Sequence, residues 1–365
     1  MYNTSVISRS HYIHQRKANL EPMLGMIDPL TFPGWDELLL SQDTRSFFHT
    51  SNWARVLHET YNYKPLYIAS IEQDKLLALM PLMEIKSLIA GKRGVSLPFS
   101  DYCEIVASGE TEFNSMMNYL IKYGEKSHWK SIEMMDGRFF KPDTLNCSLY
   151  CEYSLDTTKN PEYIFRTFKE NTRRNIKKAM KMGVTVHRYN SLESIKEYYR
   201  LHCLTRKRHG LPPQPYIFFK NIYKYIISNN HGFVMLASFN NIFVAGAIYF
   251  NCGNQVLFKY GASDLRYKRL RANHLVMWKA IEWFSRNGYE KLSLGRTDPN
   301  NEGLKRFKKG WGATEQIIRY YKYDFYKHSF TTNIQSRMPF CSKILKRMPI
   351  LVLKCIGSIF YRHMG

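Results

Sequence analysis

Hydrophobic positions along the chain follow two periods, and stretches of each period alternate. Between Glu112 and Lys126, Phe113, Met116, Met117, Leu120 and Ile121 fall on one helical face. A helix is also expected over Asn52–Thr60, with strands near Leu66–Ile71 and Leu76–Ile85 after it. The loop "SLPFSDY" precedes the 112–126 helix, and a strand near Ser131–Met135 follows it. The order then recurs. A long helix is expected over Asn160–Met182, with Phe165, Phe168, Thr172, Ile176 and Ala179 as its buried stripe, and another over Leu192–His209. Pro212, Pro213 and Pro215 interrupt the chain before a helix ending near Asn229. Strands are expected at Phe233–Ser238, Phe243–Phe250 and Gln255–Gly261. Asn240-Asn241 joins the first two as a hairpin, because asparagine tolerates positive φ. A helix over Leu270–Asn287, a strand at Lys291–Leu294 and a last strand at Thr314–Tyr323 complete the second pass. Helix, strand hairpin, helix, strand, twice over, predicts a mixed α+β chain built from two similar units.

Length and charge sharpen this. A chain of 365 residues suits two domains, and its formal net charge of +23 favours anionic partners such as nucleic acid, anionic lipid or phosphorylated substrates. The helix "FKENTRRNIKKAMK" sets Lys169, Arg173, Arg174, Lys177, Lys178 and Lys181 opposite its apolar stripe. That face reads as a footprint for phosphates or as a solvated helix side. Cys103, Cys147, Cys151, Cys203, Cys252, Cys341 and Cys355 form no C-x-x-C pair and are expected as reduced thiols of a cytoplasmic protein. No metal site is expected. No signal core and no apolar run of the ~20 residues that span a bilayer is present. Residues 1–20 are polar, basic and expected to be loose. Residues 327–365 hold seven Lys or Arg and no Asp or Glu, and Pro349 can open a helix over "ILVLKCIGSIF". This basic amphipathic tail is expected either to lie on the inner face of an anionic membrane or to pack on the adjacent domain.

Chemistry concentrates in "GRTDPNNEGLKRFKKGWGA", Gly295–Ala313, where a strand end meets a turn and a cationic helix. Lys308 and its neighbours Lys305 and Lys309 read as a solvated face or as an electrostatic site. Asp298 is a candidate orienter of Arg296 or of an amine, and equally a turn residue before Pro299. Arg206 and Arg208 in "TRKRHG" form a potential phosphate fork, or a charged helix end favoured by the helix dipole. His209 beside them is a minor candidate base. No G-x-S-x-G, H-E-x-x-H or P-loop is present, which sets aside those hydrolase, metalloprotease and NTPase classes.

"LPFSDY", "NTRRNIKKAMKMGV", "FKYGAS", "ANHLVMWKAIEWFSRNGYEKLSLGRTDPNNEGLKRFKKGWGA" and "YYKYD", in this order, resemble the FemAB-like transferases over about Phe47–Asp324. The resemblance implies two tandem GNAT-like domains, each a mixed, mostly antiparallel sheet flanked by helices, at residues 21–155 and 156–326 with a cleft at their junction. It implies transfer of an activated acyl or aminoacyl group to an amine of a cell-envelope or polysaccharide precursor. Phe307-Lys308 matches the family's "FK" element, which places Lys308 near the developing oxyanion and Phe307 as a dry wall. Asp101 and Tyr102 are then candidate acceptor contacts, with Tyr260 a candidate lining residue. A GNAT enzyme usually holds the donor's pyrophosphate on a glycine-rich loop opening a helix. The equivalent "SDLRYKRLRANH" has no glycine, so Arg266, Lys268, Arg269 and Arg271 would bind phosphates by side chain. Aminoacyl-tRNA, an acyl carrier protein and acyl-CoA remain open as donors, and no permanently bound cofactor is expected. Two other readings stand beside this one: an acyl-CoA-dependent N-acetyltransferase for an amino sugar, and a non-catalytic tRNA- or membrane-binding module.

Overall fold

The computed structural model describes residues 24–41, 46–136, 139, 147–331 and 342–365. The expected loose segment 1–20 and Cys341 lie outside these. Along the first half run β1 (Gly25–Ile27), α1 (Trp35–Leu40), α2 (Ser51–Tyr61), β2 (Lys64–Pro65), β3 (Tyr67–Glu72), β4 (Lys75–Met80), β5 (Met83–Ser87), β6 (Gly91–Val95), α3 (Glu110–Lys126) and β7 (Ser131–Met134). There follow β8 (Ser148–Asp156), α4 (Pro161–Thr167), α5 (Glu170–Lys181), β9 (Thr185–Tyr189), α6 (Leu192–Arg208) and α7 (Tyr216–Ile222). The chain continues through β10 (Gly232–Phe239), β11 (Ile242–Cys252), β12 (Gln255–Ser263), α8 (Ala272–Arg286), β13 (Lys291–Thr297) and α9 (Glu302–Lys309). It closes with β14 (Thr314–Asp324), β15 (Ser329–Thr331), α10 (Ser342–Arg347) and α11 (Ile350–Phe360).

The fold is α+β and divides into two compact units. The first holds Met1–Tyr150, Ile318–Ser336 and Arg362–Gly365; the second holds Cys151–Ile317 and Arg337–Tyr361. In the first unit β5 pairs antiparallel with β6, and β6 pairs parallel with β7 after the α3 crossover. β7 is then covered antiparallel by the end of β14, Tyr321 opposite Met134. Its core includes Met116, Leu120, Trp129, Ile132 and Tyr321. The second unit repeats this order. β11 pairs antiparallel with β12, β12 parallel with β13 after α8, and β13 antiparallel with β8. β10 and β9 extend the other edge. Among the described residues each unit therefore has one parallel pair, with its other strand pairs antiparallel.

The β10–β11 hairpin turns at Asn240-Asn241 with φ of 49° and 60°, the mirror-image turn that two asparagines favour. The expected single helix over 160–182 is two. Phe168 leaves the helical region at ψ 145°, which frees the Lys169 N–H to donate to Gly310 O at 3.0 Å. The Phe168 ring then packs edge-on against Trp278 and Trp311. The strand expected over 76–85 is likewise two, β4 and β5.

Candidate functional site

Strands that run parallel and then part expose backbone donors and acceptors at their C-terminal ends, and ligands of open α/β sheets gather there. In the second unit β12 and β13 are in register only from Gln255/Lys291 to Leu257/Ser293. Beyond that point β12 stays with β11, and β13 stays with β8 through an irregularity between Ser293 and Arg296. Gly295 sits in this irregularity at φ 70°, a conformation a side chain would strain. Its carbonyl accepts from Lys308 Nζ at 2.7 Å, and the Arg296 carbonyl accepts from the same ammonium at 3.0 Å. Lys308 is 3% exposed and its ammonium lies 5.5 Å from the Tyr153 ring centre. The solvated-face alternative therefore does not apply to Lys308. α9 presents Arg306 and Lys309 outward and turns Lys308 inward to the strand end.

Phe307 is half-buried, edge-on to His274 at 5.5 Å and to Trp311 at 5.8 Å. Burial, reinforced by Arg271, pushes the His274 imidazole down to about 4, so it is neutral at pH 7. Asn175 Nδ2 lies 3.2 Å from its Nε2, which makes that nitrogen the acceptor. Sequence reasoning passed over His274; its position in the first turn of α8 was the available signal. Lys305 reaches Glu302 at 3.1 Å and Pro299 O at 3.3 Å, while Lys309 pairs with Glu315. Asp298 is exposed, and its Oδ1 accepts from Asn300 N at 2.8 Å. That is the turn-initiating geometry; the half-buried Arg296 contributes its carbonyl to Lys308.

At the end of β12, Asp264 is buried and clasped by Arg266, whose Nε and Nη2 donate to the carboxylate at 3.0 and 2.6 Å. These bonds hold the Asp264 carboxyl below its ordinary range. Arg266 is thereby tied to its own loop, with most of its side chain exposed. Arg269 is exposed. Arg271 is half-buried and left-handed at φ 59° where α8 begins, a conformation that costs a non-glycine residue about 1 kcal/mol or more.

Arg206 is likewise engaged within the chain. Its Nε donates to Pro212 O at 3.1 Å and its Nη2 to Tyr361 Oη at 2.6 Å, so the fork secures the tail. Arg208 is half-buried at the end of α6, its Nη2 3.4 Å from the exposed His209 ring. Tyr260 is re-aimed by an irregularity between Ile248 and Tyr249, which pair with Tyr260 and Phe258 and leave Lys259 as the extra residue. Phe258 packs against Tyr249 toward α8, whereas Tyr260 packs against Phe218 and Phe219. His202, not singled out from sequence, is buried in that aromatic group with Nε2 2.8 Å from Gln214 Oε1. Burial above all, then Arg206, pushes it down to about 3.

In the first unit "SLPFSDY" leaves the C-terminal end of β6, the strand parallel to β7. Leu97 and Phe99 both take left-handed backbone, φ 44° and 62°. For bulky residues this stores on the order of 1–3 kcal/mol each, and such strain gathers at functional loops. Asp101 O accepts from Tyr320 Oη at 2.5 Å. Tyr102 Oη donates to Asp136 Oδ1 at 3.2 Å, and Asp136 Oδ2 accepts from Ile105 N at 2.7 Å. Asp136 is a buried carboxylate that the sequence pattern did not flag, because "MMDG" reads as an ordinary strand end. Among the described residues no cluster of His, Cys, Asp or Glu suits a metal ion.

The structure thus assembles Arg296, Asp298, Lys305, Phe307 and Lys308 around one strand end, with Arg269 and Arg271 at the end of the neighbouring strand. Exposed Lys169, Arg174, Lys177, Lys178 and Lys181 continue the positive charge along α5, whose N-terminus is bonded to Gly310.

Residues 166–309 match the family described as an acetyltransferase (GNAT) domain. No curated protein matches the chain. Among solved structures, FemX superposes with a TM-score of 0.64 at 15% identity, covering 80% of this chain and 95% of its own. L-PGS from Bacillus licheniformis gives 0.54 at 12% identity, covering 91% and 97%. A tandem GNAT protein from the clavulanic acid biosynthesis pathway gives 0.53 at 6% identity, covering 83% and 98%. At these identities the likeness speaks for the fold.

Proposed function

From the premise that residues 166–309 are a GNAT acyltransferase domain, we propose that this chain transfers an aminoacyl or other acyl group from a polyanionic activated donor to an amine. The acceptor is the amine of a cell-envelope or polysaccharide precursor. The observation that carries the reading is the Lys308 ammonium, fixed by two backbone carbonyls where β12 and β13 part. The amine nitrogen attacks the donor carbonyl and an N–C bond forms. The tetrahedral carbon then expels the ester oxygen or thioester sulfur, and the proton lost by the amine passes to solvent or to that leaving group. Negative charge on the carbonyl oxygen peaks between these steps, and a pre-placed cation stabilises it without reorganising. Phe307, wedged between His274 and Trp311, keeps water from the same end of the strand.

Two features favour a donor gripped along its phosphates rather than one cradled by a loop. The loop at the start of α8 has no glycine and carries the buried Asp264 carboxylate, which disfavours a pyrophosphate seated on backbone amides. α5 sets like charges four residues apart at Arg173/Lys177, Arg174/Lys178 and Lys177/Lys181, and such pairs each destabilise a helix by about 0.2–0.5 kcal/mol. A phosphate backbone along that face relieves the repulsion. Aminoacyl-tRNA fits this better than acyl-CoA on an amino sugar.

The test is single-turnover transfer from labelled aminoacyl-tRNA, and separately from acyl-CoA, to amine-bearing envelope precursors. Lys308→Ala is expected to lose about 10²-fold or more in turnover, the usual effect of removing an oxyanion donor. Wild-type turnover in that variant removes Lys308 from the mechanism. Failure of every donor with the wild-type protein favours the non-catalytic binding module.

A further inference from the structure

The helix of the tail is apolar on two opposite sides. On its inner side Leu353 and Gly357 are buried, and α11 packs on α6 of the second unit. Gly357 lies so close to the Pro212-Pro213 turn that a Cβ there would come within 2.0 Å of Pro213 O. The Lys354 ammonium caps this contact over the Tyr199 ring at 5.1 Å. The outer side carries Leu351 (74% exposed), Val352 (43%), Ile359 (60%) and the exposed Cys355, at spacings that form one stripe. Ile344 of α10 is 57% exposed. A helix apolar all round belongs in a protein interior or in lipid, and here half of it is bare.

Cations surround the bare side. Lys343, Lys346 and Arg347 are exposed, and no Asp or Glu occurs from residue 325 to residue 365. Among the described residues no helix is long and apolar enough to cross a membrane. We propose that the outer face of α10 and α11 lies in the interfacial layer of an anionic bilayer. Leu351, Val352 and Ile359 enter the acyl boundary, and Lys343, Lys346 and Arg347 meet the headgroup phosphates. A bilayer suits this surface better than a protein partner. An 11-residue helix is about 16 Å long. One side of it falls well short of the roughly 800 Å² per partner of a stable protein interface. The chain's charge of +23 draws the protein toward the same surface. The inference rests on this surface alone and holds whatever reaction the second unit performs.

The experiment is co-sedimentation of the full chain with vesicles of phosphatidylcholine alone and of phosphatidylcholine mixed with phosphatidylglycerol, at about 0.1 M salt. The wild-type protein is expected to bind the mixed vesicles and only weakly the neutral ones. Leu351→Ser/Val352→Ser/Ile359→Ser keeps every charge, and its partitioning is expected to fall about tenfold or more. Lys343→Gln/Lys346→Gln/Arg347→Gln is expected to bind more weakly and with less salt dependence. All six positions are exposed, so melting temperature is expected to hold, which separates lost docking from lost folding. Absence of wild-type binding to mixed vesicles overturns the proposal. So does a serine variant that binds like wild type, since general positive charge elsewhere then suffices.

Discussion

Lys308 carries charge where charge is costly. Taking an ammonium out of water costs several kcal/mol unless it is well bonded, and here the carbonyls of Gly295 and Arg296 offset that cost. A purely structural strap between α9 and β13 would serve as well with a neutral donor. The distinguishing comparison is therefore Lys308→Gln, which keeps an N–H donor and removes the charge. Turnover is expected to fall nearly as far as in Lys308→Ala while stability is better preserved; equal turnover in Lys308→Gln and wild type assigns the residue to strapping. His202 has a different consequence. Its folded-state pKa of about 3 lies below the ordinary 6.5, so the unfolded chain binds the extra proton between those values. Stability from the buried neutral ring is complete above about pH 6.5 and declines as the pH drops toward about 3. Urea midpoints are expected to decrease between pH 7.5 and pH 5 in the wild type and to slope less in His202→Gln. Parallel slopes would show that other groups dominate acid sensitivity.

At the level of elements, α11 depends on a close approach that only glycine allows. Gly357→Ala puts a methyl against Pro213 O, and overpacking of that kind typically costs about 1–3 kcal/mol. The variant is expected to be cut faster by trypsin at Arg347 and Lys354 than the wild type; unchanged cleavage would mean that the helix shifts without cost. What the sequence disclosed about elements follows the range of the forces involved. The 112–126 stripe and the Asn240-Asn241 turn were legible because helical period and turn chemistry act within a few residues. The break at Phe168 was not, because the apolar stripe runs through it and the cause, Gly310 O with Trp278 and Trp311, comes from far along the chain. β9 escaped notice because this edge strand, "TVHRY", buries none of its residues fully and shows no alternation. The same limit applies to the site. The spacing of Phe307 and Lys308 was readable, but the burial of Lys308 required the strand irregularity at Gly295. Asp136 and His202 became visible only when distant backbone and Gln214 closed around them.

For the whole molecule, a net charge of +23 bears on attraction to anionic partners rather than on the fold. If α5 tracks a phosphate backbone, affinity for aminoacyl-tRNA is expected to drop about tenfold or more between 50 and 200 mM salt, as counterion release demands. Arg174→Glu/Lys178→Glu is expected to weaken it further and flatten the slope, whereas an unchanged slope would place the donor elsewhere. The two units also finish in an unusual order. The strand covering β7 is the end of β14, Tyr321–Asp324, although the strands on the other side of β7 lie before Tyr150. During synthesis β7 therefore emerges with its flank unclosed, and its partner Tyr321 follows Met134 by roughly 190 residues. At about 5–20 residues per second that delay is roughly ten to forty seconds. For that interval the nascent N-terminal half presents a raw hydrogen-bonding edge.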